Sequence, residues 1–171
     1  MKKFTNQRGL AVLEVMIVAA IVAIFATAAV PKMARILDKV QLDYEMKHLY
    51  STMNLARSVG KNSSYQVPAL GYGGGHSLGI LIGKKNYRFQ KNGLDISKHI
   101  LFNGIEMTTT SSGGSFNQII FEPNGFSLTG LNSKGKYFTS KSGNVQINSR
   151  FGKSTKIYLD SVGRIRGEYD K

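Results

Sequence analysis

Hydrophobic and polar positions divide the chain into three stretches with different periods. From Leu10 to Val30 the sequence is apolar on every side, and Glu14 is its only charged residue. A 21-residue helix rises roughly 31 Å at about 1.5 Å per residue, close to one bilayer hydrocarbon core. From Pro31 to Gly60 the pattern becomes helical and two-sided. Leu42, Met46, Leu49, Met53 and Ala56 recur at spacings of 4, 3, 4 and 3, which predicts one apolar helix face. Met33, Ile36 and Val40 extend that stripe, whereas Asp38, Lys39, Asp43, Lys47 and Arg57 fall mostly off it. The stripe is expected to pack on the remainder of the chain. Pro31 removes one helix hydrogen bond and predicts a kink, and Gly60 predicts the helix end.

Beyond Gly60 the composition shifts to Gly, Ser, Asn and Thr, with short β-prone runs between turns. Strands are expected at 78–82, 86–90, 99–108, 116–122, 126–130, 136–140, 144–150, 155–160 and 164–169. Turn signals fall at Gly73-Gly74-Gly75, Asn92-Gly93, Ser111 to Gly114, Pro123-Asn124-Gly125 and Val162-Gly163. The expected fold class is therefore α+β, with a long N-terminal helix, membrane-spanning in its first half, packed on a C-terminal antiparallel β-sandwich or meander. The expected segments are a basic stretch at 1–9, a transmembrane helix at 10–30, an amphipathic helix at 31–60 and a β-rich domain at 61–171.

The chain has 171 residues, a net charge of +13 and no cysteine. Disulfides and thiolate metal sites are excluded. The positive charge suits nucleic acid, anionic lipid or an acidic partner without selecting among them. Lys2, Lys3 and Arg8 precede the apolar stretch and place the N-terminus in the cytoplasm, although Lys32, Arg35 and Lys39 follow it. The C-terminal domain is then extracytoplasmic.

Glu14 is the anomaly, because a carboxylate at a bilayer centre costs roughly 2.5–3.5 kcal/mol on insertion scales. Three readings address it. A plain signal anchor leaves it unexplained. A secretory signal cut near Ala26-Thr27-Ala28 gains nothing from a charge in its apolar stretch. A cut between Gly9 and Leu10 retains the span and creates an α-amine, cationic near neutral pH, that Glu14 of a staggered neighbouring helix could meet.

Gly9, the apolar run, Glu14 five positions into the cut chain and Pro31 together resemble a type IV pilin or pseudopilin N-terminus. "FEPNGFSLTG" and "KIYLDSVGRIRGE" resemble the GspH/FimT minor pilins, with Phe121, Pro123, Gly125, Gly163 and Arg164 in the matching places. The resemblance implies cleavage after Gly9 by a prepilin peptidase and N-methylation of Leu10, where the family usually has Phe. It also implies assembly through Glu14 and Pro31 with other pilins or pseudopilins on an inner-membrane platform. The resulting filament would serve a type II secretion system, a type IV pilus or competence, with this subunit near its tip.

No catalytic constellation is evident. His48, His76 and His99 lack metal-ligand spacing, and no nucleophile motif occurs. His48 reads as an ordinary helix residue, and the glycines at 71–75 lack the lysine of a phosphate loop. Neither an enzyme nor a cofactor is expected. A second reading is DNA binding. Residues 134–166 hold eight cations and one acid, Asp160, for a net +7. Arg164 and Arg166, with Lys153 and Lys156, are the candidate phosphate contacts, and Gly-Arg-x-Arg resembles the C-terminal motif of DNA-uptake members of the FimT branch. On one strand the two arginines would share a face, with Gly163 and Gly167 leaving the edge open.

Overall fold

The computed structural model describes residues 7–62, 78–122 and 125–168. Lys2, Lys3, the 71–75 glycine loop, His76 and Pro123 lie outside the described residues. One α-helix, α1 (Gln7–Asn62), runs through Pro31, and two residues past Gly60. Ten strands follow: β1 (Leu78–Ile82), β2 (Asn86–Lys91), β3 (Leu94–Ile100), β4 (Glu106–Ser111), β5 (Phe116–Glu122), β6 (Gly125–Leu131), β7 (Tyr137–Ser140), β8 (Gly143–Asn148), β9 (Ser154–Leu159) and β10 (Ile165–Glu168). All pairings are antiparallel, in a six-stranded sheet of order β3-β2-β1-β5-β6-β7 and a four-stranded sheet of order β10-β9-β8-β4. The α+β architecture is as expected.

The chain divides into two compact units, Met1–Leu37 and Asp38–Lys171. In the second, the stripe on α1 buries as its spacing predicts: Leu42, Met46, Leu49, Met53 and Ala56 are all in the core. They share one apolar cluster with Ile80, Ile119 and Leu128 of the larger sheet and Val145, Ile147 and Ile157 of the smaller. Strand alternation supplies the sheet side of this cluster, most plainly in β8 and β9, where every second residue is buried. Helix and sheet approach closely at Gly167, where a Cβ would stand 2.2 Å from Met46 Cε. The stripe does not extend further back. Met33, Ile36 and Val40 are exposed, and Asp38 is buried in place of Val40. Asp38 lies four residues before Leu42, on the continuation of the stripe, so helical geometry carries it inward despite its charge.

The sequence reading of a single strand at 99–108 is corrected. β3 ends at Ile100 in the larger sheet and β4 begins at Glu106 in the smaller. Between them Leu101 and Ile105 plug into the core, and the Ile105 N–H donates to Phe102 O at 3.1 Å. β3 itself begins earlier than expected. Asn92 (φ 56°) and Gly93 (φ 77°) form a tight turn with both residues left-handed, which returns the chain at once along β2.

Three later hairpins are built alike. Asn132 and Lys136, Ser149 and Lys153, and Asp160 and Arg164 each close a turn through an N–H···O bond between first and fifth residues. The fourth residue is Gly135, Gly152 or Gly163, at φ 72°, 78° and 77°. A polar residue opens each turn and a cation closes it, so Lys136, Lys153 and Arg164 occupy equivalent positions.

Candidate functional site

Three features beyond the core carry polar or interfacial chemistry. The first is the apolar half of α1, the one described helix long and apolar enough to cross a membrane. None of its most apolar stretch is buried. Val15, Met16, Ile24 and Phe25 are each about two-thirds or more exposed. Gly9 and Leu10 lie in the first turns of α1, and Glu14 and Pro31 are exposed along it. Among the described residues Glu14 has no hydrogen bond or ion pair. Apolar surface left in water forgoes about 25 cal/mol per Å², so covering this segment with apolar surroundings is favourable.

The second feature is the cationic surface of the C-terminal strands. Arg164 precedes β10 and sits in the hairpin turn, where its Nε and Nη2 donate to Asp160 Oδ2 at 3.2 and 2.9 Å. The Arg164 guanidinium holds the Asp160 carboxyl below its usual range. Arg166 lies on β10 directly across from Tyr158, and Lys156 lies across from Glu168. Both arginines are exposed, but only Arg166 is on the strand. Lys141 bonds Glu122 at 3.1 Å, and Arg150 Nε stands 3.9 Å from the buried Asp38. Among the described residues, Lys153, Lys156 and Arg166 form no ion pair. Lys153 lines a groove with Lys39, Asp43 and Thr155. Of the glycines flanking Arg164 and Arg166, Gly163 is buried, whereas Gly167 is exposed on edge strand β10 and packs only on its inner face. Gly167 receives Met46, and a Cβ on Gly163 would meet Gly125 Cα at 3.0 Å. The two sequence motifs that carry Gly125 and Gly163 therefore pack on each other.

The third feature is a polar cluster on α1, β2 and β3. Glu45 is fully buried. Its Oε2 accepts from His99 Nε2 at 2.7 Å and its Oε1 accepts from the Phe102 N–H at 3.0 Å. The His99 ring stacks on His48, with centroids 4.3 Å apart. His48 Nδ1 shares a hydrogen bond with the Tyr87 hydroxyl. Tyr87 is buried and pairs with His99 across β2 and β3. Burial pushes the Tyr87 phenol well above its usual range. His48 is thus part of a network, not the ordinary helix residue expected from its lack of nearby ligands. Glu45 carried a sequence signal: it lies three residues after Leu42 and four before Leu49, on the apolar stripe.

Among the described residues no group of three or more His, Asp or Glu could hold a metal ion. Against known proteins, the chain matches no protein family, no curated protein and no solved structure.

Proposed function

We propose that this chain is a minor pilin or pseudopilin of the GspH/FimT kind, a filament subunit that assembles through residues 10–30 of α1. The observation that supports this most is an apolar helix of membrane-spanning length whose one carboxylate, Glu14, has no hydrogen bond or ion pair among the described residues. Lipid covers such a helix before assembly, and neighbouring helices cover it afterwards. A carboxylate in that setting favours a cationic partner, and the α-amine freed at Leu10 of an adjacent subunit is one of the right charge. On this reading residues 1–9 are a cytoplasmic leader removed by a prepilin peptidase. Leu10 is then N-methylated, and the β domain lies on the far side of the inner membrane. The filament is a type II secretion pseudopilus or a type IV pilus, with this subunit near its tip. Glu14→Ala tests the docking role. The variant is expected to insert in the membrane and to lose co-purification with the other filament subunits. Undiminished co-purification refutes the role.

A second, compatible reading is DNA binding by the C-terminal strands, favoured by the exposed Arg166 beside the exposed Tyr158. A cation next to an aromatic face suits a phosphate and its base. Mobility shifts at two or more salt concentrations test it. Arg166→Gln lowers the salt slope by about 1, the share of one phosphate contact. Arg164→Gln lowers it less, because Asp160 already neutralises that guanidinium. Absence of binding at low salt removes this reading and leaves the filament reading intact.

A further inference from the structure

We propose that Glu45, His48, Tyr87 and His99 form an acid-released latch that holds edge strand β3 and the turn after it against α1. The inference stands on the cluster's geometry and is independent of the filament reading. β3 is the last strand of its sheet, paired on one side by β2 alone. Its residues are almost all exposed, including Leu94, Ile96 and Ile100. Little apolar burial therefore retains it. Glu45 instead grips it at two points, the His99 ring and the Phe102 N–H, and both bonds cross from helix to strand edge.

His48 is the part of the latch that acid opens. Among the described residues, the titratable groups in contact with it lie on three elements. On α1 these are Glu45 and Tyr44, whose ring lies 5.8 Å from that of His48. On β2 it is Tyr87, and on β3 it is His99, stacked on the imidazole face. The His99 ring donates from Nε2 to Glu45, so the carboxylate is already engaged and offers His48 no direct bond. A proton added to His48 enters a partly buried site against another imidazole. If it is added at Nδ1, it also ends that atom's capacity to accept from Tyr87. Burial lowers the His48 pKa from its ordinary 6.5; the neighbouring His99 lowers it further, and Glu45 opposes both.

The sign follows from linkage. In the latched state His48 takes its proton at a lower pH than in the released state, where it does so near the ordinary value. The released state thus binds more protons, and the latch is strongest above pH 6.5. It weakens as pH falls from there toward the lowered value, by at most about tenfold per pH unit for one proton.

Hydrogen exchange on the full chain in detergent micelles, corrected for intrinsic chemistry, reads the opening directly. Residues 94–102 are expected to gain opening population as pH falls from 6.5 toward the lowered value, by at most about tenfold per pH unit. Residues 143–148 of the core are expected to stay protected. In His48→Gln the acid dependence of 94–102 flattens. A wild-type segment without acid-dependent opening, or an unchanged dependence in His48→Gln, overturns the latch. A titration of the wild-type histidine signals by NMR needs no variant to fold. A His48 midpoint below 6.5 supports the proposal, and one at or above 6.5 overturns it.

Discussion

Gly163→Ala tests the packing of the last hairpin against the β5–β6 connection. Two costs arise at this position. Gly163 sits at φ 77°, where an L-residue loses about 1–2 kcal/mol. The added Cβ also meets Gly125 Cα at 3.0 Å, and this is backbone that cannot swing aside. Overpacking of that kind costs about 1–3 kcal/mol, so the variant is expected to lose about 2–5 kcal/mol in all. Gly152→Ala separates the two terms. Gly152 has nearly the same φ, 78°, in a hairpin of the same construction, with nothing within 4 Å of its added Cβ. It is expected to lose only the conformational part, about 1–2 kcal/mol. Any gain from a stiffer unfolded chain is common to both variants and drops out of the comparison. The assay is urea unfolding of the full chain in micelles, followed by tyrosine fluorescence. Gly163→Ala no more destabilised than Gly152→Ala refutes the close approach of the two glycine turns.

Two further substitutions probe the helix–sheet core. Leu49→Ala removes a fully buried side chain from the central cluster and is expected to lower stability by about 2–5 kcal/mol, read as a fall in the urea midpoint. Asp38→Leu is expected to do the opposite. Among the described residues Asp38 Oδ2 is buried without a hydrogen-bond partner, and Arg150 stands 3.9 Å from Oδ1, so removing the charge is expected to gain about 1–3 kcal/mol as a rise in that midpoint.

Local pattern made much of the fold legible. The bounds expected for β1 and β5 match those found, because each is a dense apolar run bounded by polar or turn residues. The helix stripe from Leu42 to Ala56 follows from spacing alone. The misreadings have physical causes. The charge of Asp38 argues against burial, although its position continues the stripe. β3 was misplaced because Asn92-Gly93 returns the chain into a strand that is mostly polar and exposed, where burial leaves no alternation to read. The latch was hidden because its partners lie 39 and 54 residues apart, and pairing at that range depends on sheet register. The Arg164–Asp160 pair is local and was available from the recurring turn pattern, in which a polar residue precedes glycine by three positions and a cation by four.

The central claim is that residues 10–30 remain in a mature subunit whose new N-terminus enters an assembly. Intact-mass analysis of the protein extracted from membranes tests it most directly. The account predicts a single species beginning at Leu10 and carrying one added methyl group. A species that retains Met1 to Gly9, or one that begins near Ala29, would contradict it.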